Sequence, residues 1–150
     1  MSKYLLSFFL LLGVNSLVAQ DCFNFYKTNC CPEKSVFPYV EHEKSVSFAF
    51  SPGDSKCVSV NLIQGKDYRI TLCSDSLYTG VVSLLIRTEM GDVIYDNSSD
   101  NFSQSIEFSC RKSNYTEFIL TAPNRTDVPE GLKGCIGMLV EEIISPKIGF

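Results

Sequence analysis

From Ser45 onward, apolar side chains recur at every second position in short runs that are separated by turn residues. One run places Val58, Val60 and Leu62 on a single face, and "DYRITL" repeats the pattern a turn later. A period of two residues is typical of a strand with one buried and one solvated face. About eight such runs at near-regular spacing, with no window of helical period, predict an all-β sandwich or barrel.

The pattern divides the chain into four parts. Residues 1–20 are predicted to be a signal peptide, 21–44 a cysteine-rich irregular head, 45–144 the β-sandwich domain and 145–150 a tail. Pro32 and Pro38 argue against a long helix or a central strand in the head, which has room for a short strand at most. The tail is too short for a domain and is expected to be a frayed end or an addition to a sheet edge.

The first residues indicate the compartment. Lys3 precedes the apolar run of residues 4–14, and the small residues Ser16 and Ala19 follow it. This is the order of a secretory signal peptide, with cleavage after Ala19 or Gln20. The apolar run is shorter than the roughly 20 residues of a membrane-spanning helix, so a retained anchor is the less favoured alternative.

Charge excludes several classes of partner. The whole chain has a formal net charge of −4, and loss of Lys3 with the signal peptide makes it −5. A mildly acidic chain offers no basic surface for nucleic acid or anionic lipid. No later segment is apolar enough to span a membrane. We therefore expect a soluble protein that is exported, either secreted or periplasmic.

The cysteines predict a disulfide framework. Exported chains meet oxidising conditions, in which disulfides are the default. Seven is an odd number, so at least one thiol is free or pairs with another chain, and a single such thiol would mean three bridges. Because Cys30 and Cys31 are adjacent, we expect them to have different partners and one of them to be the odd thiol. The disulfide candidates are Cys22, Cys30, Cys31, Cys57, Cys73, Cys110 and Cys135.

Thiol chemistry is the alternative use of these residues. His42, the only histidine, could join Cys30 and Cys31 as an activated thiolate pair or as the start of a zinc site. No C-x-x-C motif or second histidine supports either, so no metal ligand and no catalytic residue is predicted. His42 lies in the charged run "VEHEK" and is expected to be a solvated loop residue. A carboxylate enzyme would have to combine scattered residues, namely Glu41, Glu43, Glu107 and Glu117.

Three surface features are candidates for ligand contact. Asp92, Asp96 and Asp100 offer oxygens for calcium, but these are also ordinary hairpin residues, and the hairpin interpretation is preferred. Tyr78, in the "SLYTG" loop, is the best candidate for an exposed aromatic contact, since the chain has no tryptophan. Four N-x-Ser/Thr sequons, which would carry glycans only in a eukaryotic secretory path, begin at Asn97, Asn101, Asn114 and Asn124.

Four stretches carry a family resemblance: "FAFSPGDSKCVSVNLIQGKDYRITLCSD", "VSLLIRTEMGDVIYDNSSDNF", "SIEFSCRKSNYTEFILTAP" and "GCIGMLVEE". Over residues 45–142 the chain resembles a family of small secreted proteins of Bacteroidota. It is also similar to the bacterial pre-peptidase C-terminal type of β-sandwich, in which a "G-x-x-Y-x-I-x-L" strand precedes a "G-x-x-I" hairpin. The resemblance implies a jelly-roll-like sandwich with an accessory or binding role, and it implies no particular ligand.

These observations together predict one exported antiparallel β-sandwich that is stabilised by disulfides. The expected function is a non-enzymatic binding or structural module that needs no cofactor. Its partner would be a protein or glycan at the cell surface. The alternative is a secreted enzyme that depends on carboxylates or on a thiol.

Overall fold

The computed structural model describes residues 21–144, so the predicted signal peptide and the predicted tail lie outside the described residues. These residues form one short helix, nine strands and a 3₁₀ turn at Asn97–Asp100. Within them, no helix is long and apolar enough to cross a membrane. The elements are α1 (Phe25–Asn29), β1 (Val40–Glu41), β2 (Val46–Phe50), β3 (Ser55–Leu62), β4 (Lys66–Ser74), β5 (Ser83–Thr88), β6 (Val93–Asp96), β7 (Ser105–Ser109), β8 (Asn114–Thr121) and β9 (Gly134–Ile144).

The strands form two antiparallel sheets. In sheet A, the long β9 pairs with β4 on one side and with β1 and β2 on the other, and β7 pairs with the far side of β4. In sheet B, the strand order is β3-β8-β5-β6. The chain passes from sheet A to sheet B between β2 and β3, and both of these strands lie at a sheet edge.

The core lies between the two sheets and uses the alternating residues. Tyr68, Ile70 and Ile136 of sheet A and Val60 and Phe118 of sheet B are fully buried. Each large apolar side chain contributes roughly 1.5–3 kcal/mol when it is fully buried. The prediction of a disulfide-stabilised antiparallel sandwich is confirmed, and β1 raises the strand number to nine among the described residues.

The head packs on the outer face of sheet A. The N–H of Tyr26 donates to Ser47 Oγ at 2.8 Å, and the Tyr26 hydroxyl donates to Glu41 Oε1 at 2.7 Å. A Cβ atom added at Gly137 of β9 would lie 2.9 Å from Tyr26 Cα and 2.8 Å from Cys73 Sγ. The close approach of α1 to β9 therefore requires glycine at this position.

Because the head covers the outer face of sheet A, charged side chains on that face of β4 are buried. Asp67 and Arg69 alternate with the core residues and point outward, yet both are buried. Arg69 donates to Glu141 Oε2 and to the Glu33 carbonyl, and its guanidinium stacks 4.5 Å from the ring centre of Tyr39. The expectation of one solvated face per strand is wrong for β4, because residues of the head lie over that face.

Candidate functional site

Two disulfides attach the head to sheet A. Cys22 bonds Cys135 on β9, and Cys30 bonds Cys73 on β4. Cys73 has the parity of the outward-facing residues of β4, so it meets α1 rather than the core. The structural interpretation of Cys73 is confirmed, and adjacent Cys30 and Cys31 do differ in their pairing.

Two bridges form among the described residues, and three cysteines remain thiols. Cys31 is exposed in the head, as expected for the odd thiol. Cys57 is exposed on the outer face of β3, while Cys110 is buried in the core, where its thiol donates to the Lys112 carbonyl at 3.2 Å. These thiols cannot pair because they lie on different faces of the sandwich.

The environments of Cys57 and Cys110 do not activate their thiols. Partial desolvation by neighbouring groups raises the pKa of Cys57, although its side chain reaches the surface, and the nearby Glu117 carboxylate raises it further. Burial also raises the pKa of Cys110. A nucleophilic or metal-binding cysteine requires the opposite shift, because the thiolate is its reactive form.

His42 is engaged by other groups. Its Nδ1 accepts a hydrogen bond from the Lys44 N–H at 3.1 Å, and its Nε2 lies 3.8 Å from Glu142 Oε2. The ring meets Tyr68 edge to face, and only 13% of the side chain is exposed. The expectation of a solvated loop histidine is wrong, because the ring packs against the end of sheet A. Both ring nitrogens face groups other than a thiol.

The scattered glutamates are occupied by local contacts. Glu41 accepts the Tyr26 hydroxyl, and Glu117 accepts Arg87 Nε at 2.7 Å. Glu107 lies 3.8 Å from Arg69. The first contact links α1 to β1, the second lies within sheet B and the third within sheet A. They bring no two of these glutamates into one acid–base pair.

Tyr78 is not a surface contact. Its side chain is fully buried, and its hydroxyl donates to the Phe50 carbonyl at 3.0 Å. Burial raises its pKa. A Cβ at Gly134 would lie 2.7 Å from the Tyr78 ring, so this glycine leaves the space that the ring occupies. The expectation of an exposed aromatic at Tyr78 is wrong because the loop folds this ring into the core.

The "DNSSDN" stretch is structural. Asp96 accepts the Ser98 N–H at 2.9 Å and so caps the 3₁₀ turn. Hydrogen bonding with the Ser98 side chain, and then with its N–H, lowers the pKa of Asp96. Asn97 is fully buried; its side chain accepts the Leu84 N–H and donates to the Val82 carbonyl. Asn97 is therefore no glycan acceptor in the folded chain. Among residues 21–144, no group of three or more metal-ligating side chains comes together.

The open side of the sandwich provides the best candidate site. A groove of about 340 Å³ runs between the edges of β2 and β3. We call it the seam groove, and Val46, Phe48 and Val58, all partly buried against the core, form its apolar part. Its remaining lining residues are Glu43, Lys44, Ser45, Cys57 and Ser59. The sequence shows these apolar residues as ordinary strand positions, so it gives no signal for the groove.

A second groove of about 370 Å³ lies at the end of sheet A. Val40, Ile143 and Ile144 line it together with an ion pair, in which Lys66 Nζ lies 2.6 Å from Glu142 Oε1. The two charges of this pair neutralise each other, so the groove offers little net charge to a ligand. The seam groove is the stronger candidate because a free strand edge borders it.

Comparisons with known proteins were made for the whole chain. No family model matches its sequence, and no curated protein matches it. Among solved structures it is similar to the crystal structure of Aeromonas hydrophila PliG, a periplasmic lysozyme inhibitor of g-type lysozyme. The identity is 10%, the TM-score is 0.46, and the match covers 66% of this chain and 84% of that one. A match of this size assigns neither a family nor a function, and the resemblance drawn from the sequence stays a prediction.

Proposed function

We propose that this chain is an exported, non-enzymatic module that binds an extended protein segment along the seam groove and the edge of β3. The observation that carries the proposal is the apolar groove beside a free edge strand. Two disulfides support export, because such bonds persist in oxidising compartments.

The edge of β3 suits strand addition. β3 pairs with β8 over eight consecutive residues, and none of the strands within residues 21–144 pairs with its other edge. An added strand gains main-chain hydrogen bonds at such an edge, and every second side chain of the added strand enters a neighbouring pocket. Val46, Phe48 and Val58 supply that pocket for apolar side chains.

An apolar protein segment fits this groove better than a glycan does. Sugar sites use exposed aromatic faces together with polar groups. The exposed large aromatic residues of the described chain, Phe23, Phe37 and Tyr115, do not line the groove.

A non-enzymatic role agrees with the chemistry of the described residues. Burial raises the pKa of the Cys57 and Cys110 thiols, and His42 contacts no thiol. The carboxylate or thiol enzyme remains the alternative, and it predicts turnover that Cys31→Ser or His42→Ala abolishes.

Hydrogen exchange tests the proposal. The purified protein is mixed with the extracytoplasmic proteins of the organism that makes it, and amide protection is mapped. We expect new protection in β2 and β3. Val58→Lys places a charge in the groove and should lower the captured amount about tenfold. Ile106→Lys is the matched control, because Ile106 is also a partly buried core residue on an edge strand, β7.

The outcomes separate the alternatives. Equal loss of binding in both variants, or protection confined to strands other than β2 and β3, would overturn the proposal. If the protein captures an oligosaccharide and Val58→Lys does not change the amount captured, the proposal is overturned in favour of a glycan ligand. Thermal unfolding verifies that both variants fold. If either does not, Ser59→Lys and Ser105→Lys, which alter exposed serines of β3 and β7, replace them.

A further inference from the structure

The edges of the two sheets differ in how far they are protected. β6 has four residues, and its register with β5 shifts between Ile86 and Arg87. β7 has five residues, and the other edge of sheet A is split into the two residues of β1 and the five of β2. β3 has eight residues in unbroken register. Short strands, irregularities and breaks are three devices by which proteins prevent edge pairing, and β3 has none of these three. Its one charge is Lys56, which has the parity of the inward-facing residues and lies near the start of the strand.

The outward side chains of β3 are compatible with a second copy of the same strand. Ser55, Cys57, Ser59 and Asn61 are small or medium-sized, uncharged and exposed. Lys56 is the only charged residue in the strand. A strand that meets a copy of itself in antiparallel orientation forms a two-fold, self-complementary contact. No pair of like charges lies directly opposite when Cys57 is at the centre, because Lys56 then faces Val58 of the second copy.

We infer that the partner at this edge is a second copy of this chain, with β3 paired antiparallel to β3 and Cys57 opposite Cys57 of the second copy. The two four-stranded sheets then become one sheet of eight strands. This inference rests on the proposed function, because both use the outer edge of β3. It names the bound protein segment, which is β3 of the second copy.

The register follows from the pleat of the strand. Directly opposite residues of an antiparallel pair have side chains on the same face. Sheet B therefore continues across the two-fold axis only if outward-facing residues of one copy lie opposite outward-facing residues of the other. This condition is met when the axis passes midway between the two copies of one outward-facing residue. Cys57 and Ser59 both satisfy this condition, and an axis at Cys57 is the one that a disulfide can report. This axis pairs Ser55–Ser59 with the same five residues of the second copy and places Ser55 opposite Ser59.

The seam groove adds apolar area to this contact. It lies immediately inside β3, so a two-fold axis through β3 brings the grooves of both copies together. Val46, Phe48 and Val58 of each copy then lose water contact. Burial of apolar surface is the main favourable term in most protein association, and an edge pairing alone would lack it.

The thiols report on this register. Opposite residues in an antiparallel pair have Cα atoms about 4.5–5.5 Å apart, which lies within the range of disulfides. With oxidised glutathione as the oxidant, the two Cys57 thiols lose two protons and two electrons to form one S–S bond. The oxidant gains both and is reduced to two molecules of glutathione.

The first experiment uses the full exported protein with Cys31→Ser, so that Cys57 is the only exposed cysteine thiol of the described residues. Sedimentation velocity measures the dimer fraction against concentration without oxidant. Oxidised glutathione is then added, and non-reducing mass spectrometry identifies the product. We expect a concentration-dependent dimer that becomes covalent through Cys57. The reciprocal variant, Cys57→Ser, should form the non-covalent dimer only.

A charge exchange tests the register. Ser55→Lys with Ser59→Lys places two pairs of like charges across the two-fold axis, and we expect the dissociation constant to rise about tenfold or more. Ser55→Lys with Ser59→Glu makes both pairs opposite in charge and should restore dimerisation to within about threefold of the parent. Both serines are exposed, and Ser55 Oγ lies within hydrogen-bond distance, 2.8 Å, of Thr121 Oγ1. Thermal unfolding therefore verifies that each variant folds as the parent does.

The results distinguish this inference from the proposed function. A monomer at every concentration whose Cys57 only acquires glutathione would overturn the inference, as would a dimer that the charge exchange does not affect. A monomer that still gains protection in β3 from another protein would leave the proposed function standing without the second copy. A dimer that captures no other protein would support the inference and overturn binding of foreign segments.

Discussion

The outer faces of the two sheets carry similar ion pairs in different surroundings. Arg69 Nε lies 2.7 Å from Glu141 Oε2 on sheet A, and Arg87 Nε lies 2.7 Å from Glu117 Oε2 on sheet B. The side chains of the first pair are 6% and 12% exposed, and those of the second are 41% and 33% exposed. The Arg–Glu hydrogen-bond length is the same in both pairs, whereas the surroundings of the two arginines differ.

The comparison shows what the head contributes. It adds a third layer to sheet A, and this layer encloses a charged row that sheet A alone would leave in water. A buried pair is strongly destabilising when one partner is removed, whereas an exposed pair contributes little. Within residues 21–144 no such layer covers the ion pair of sheet B, and its two side chains stay partly exposed.

The largest expected effect comes from the bridges that hold the head. Cys22→Ser with Cys135→Ser removes a cross-link between residues that are 113 positions apart, and we expect the free energy of unfolding to fall by about 4–5 kcal/mol. Denaturant unfolding measures the change. Cys57→Ser is the control and should change it by less than about 0.5 kcal/mol, because Cys57 is unpaired and exposed. A loss below about 1 kcal/mol would mean that the Cys30–Cys73 bridge and packing hold the head without the Cys22–Cys135 bridge.

Removing the arginines tests the comparison directly. Arg69→Ala leaves Glu141 buried without its partner and should cost about 3–5 kcal/mol of unfolding free energy. Arg87→Ala should cost less than about 1 kcal/mol. Urea unfolding of both variants gives the two numbers. Equal losses would show that the head does not change the environment of Arg69.

Gly137→Ala tests the contact between the head and sheet A. The new methyl group would press on the backbone of Tyr26 and on Cys73 Sγ, so the head must shift, at about 1–3 kcal/mol. Faster amide exchange in α1 should accompany the loss. Ser59→Ala, on the open face of β3, should have no measurable effect on either quantity. Unchanged exchange in α1 would contradict the close contact.

A smaller effect is expected at high pH. Burial and a hydrogen bond to Glu41 raise the pKa of Tyr26 from its ordinary value of 10.0 to about 12. The unfolded chain loses this proton first, so the contribution of Tyr26 is complete below pH 10 and is lost as the pH rises to about 12. Tyr26→Phe should flatten the pH dependence of stability in that window and remove the highest step from the tyrosine absorbance titration. Identical titrations would contradict the assignment.

The alternating pattern predicted the core well, because the direction of a side chain in a strand depends on local parity. Val58, Val60 and Leu62 share the inner face as expected. The alternation shows which face of a strand a side chain belongs to, but it does not show which other part of the chain covers that face. The pattern therefore places Asp67 and Arg69 in solvent. Their burial depends on the head, residues 21–44, which precedes the sandwich domain in the sequence.

Loop residues were predicted less well for the same reason. Tyr78 is buried because Gly134, in the last strand, leaves space for its ring. Asn97 is buried because its amide satisfies the backbone of β5 and the loop before it. Such partners are distant in sequence, so no local pattern reports them. The seam groove was missed because it exists only where two edges meet.

The position of β9 has a consequence for the order in which the protein matures. Sheet B draws its strands from residues 55–121, whereas sheet A lacks its central strand until residues 134–144 have been synthesised. Cys22 emerges first, and five other cysteines appear before its partner Cys135. Oxidation in order of appearance would join Cys22 to a wrong neighbour. The native bridge therefore requires that Cys22 stay reduced, or be reshuffled, until the last strand arrives.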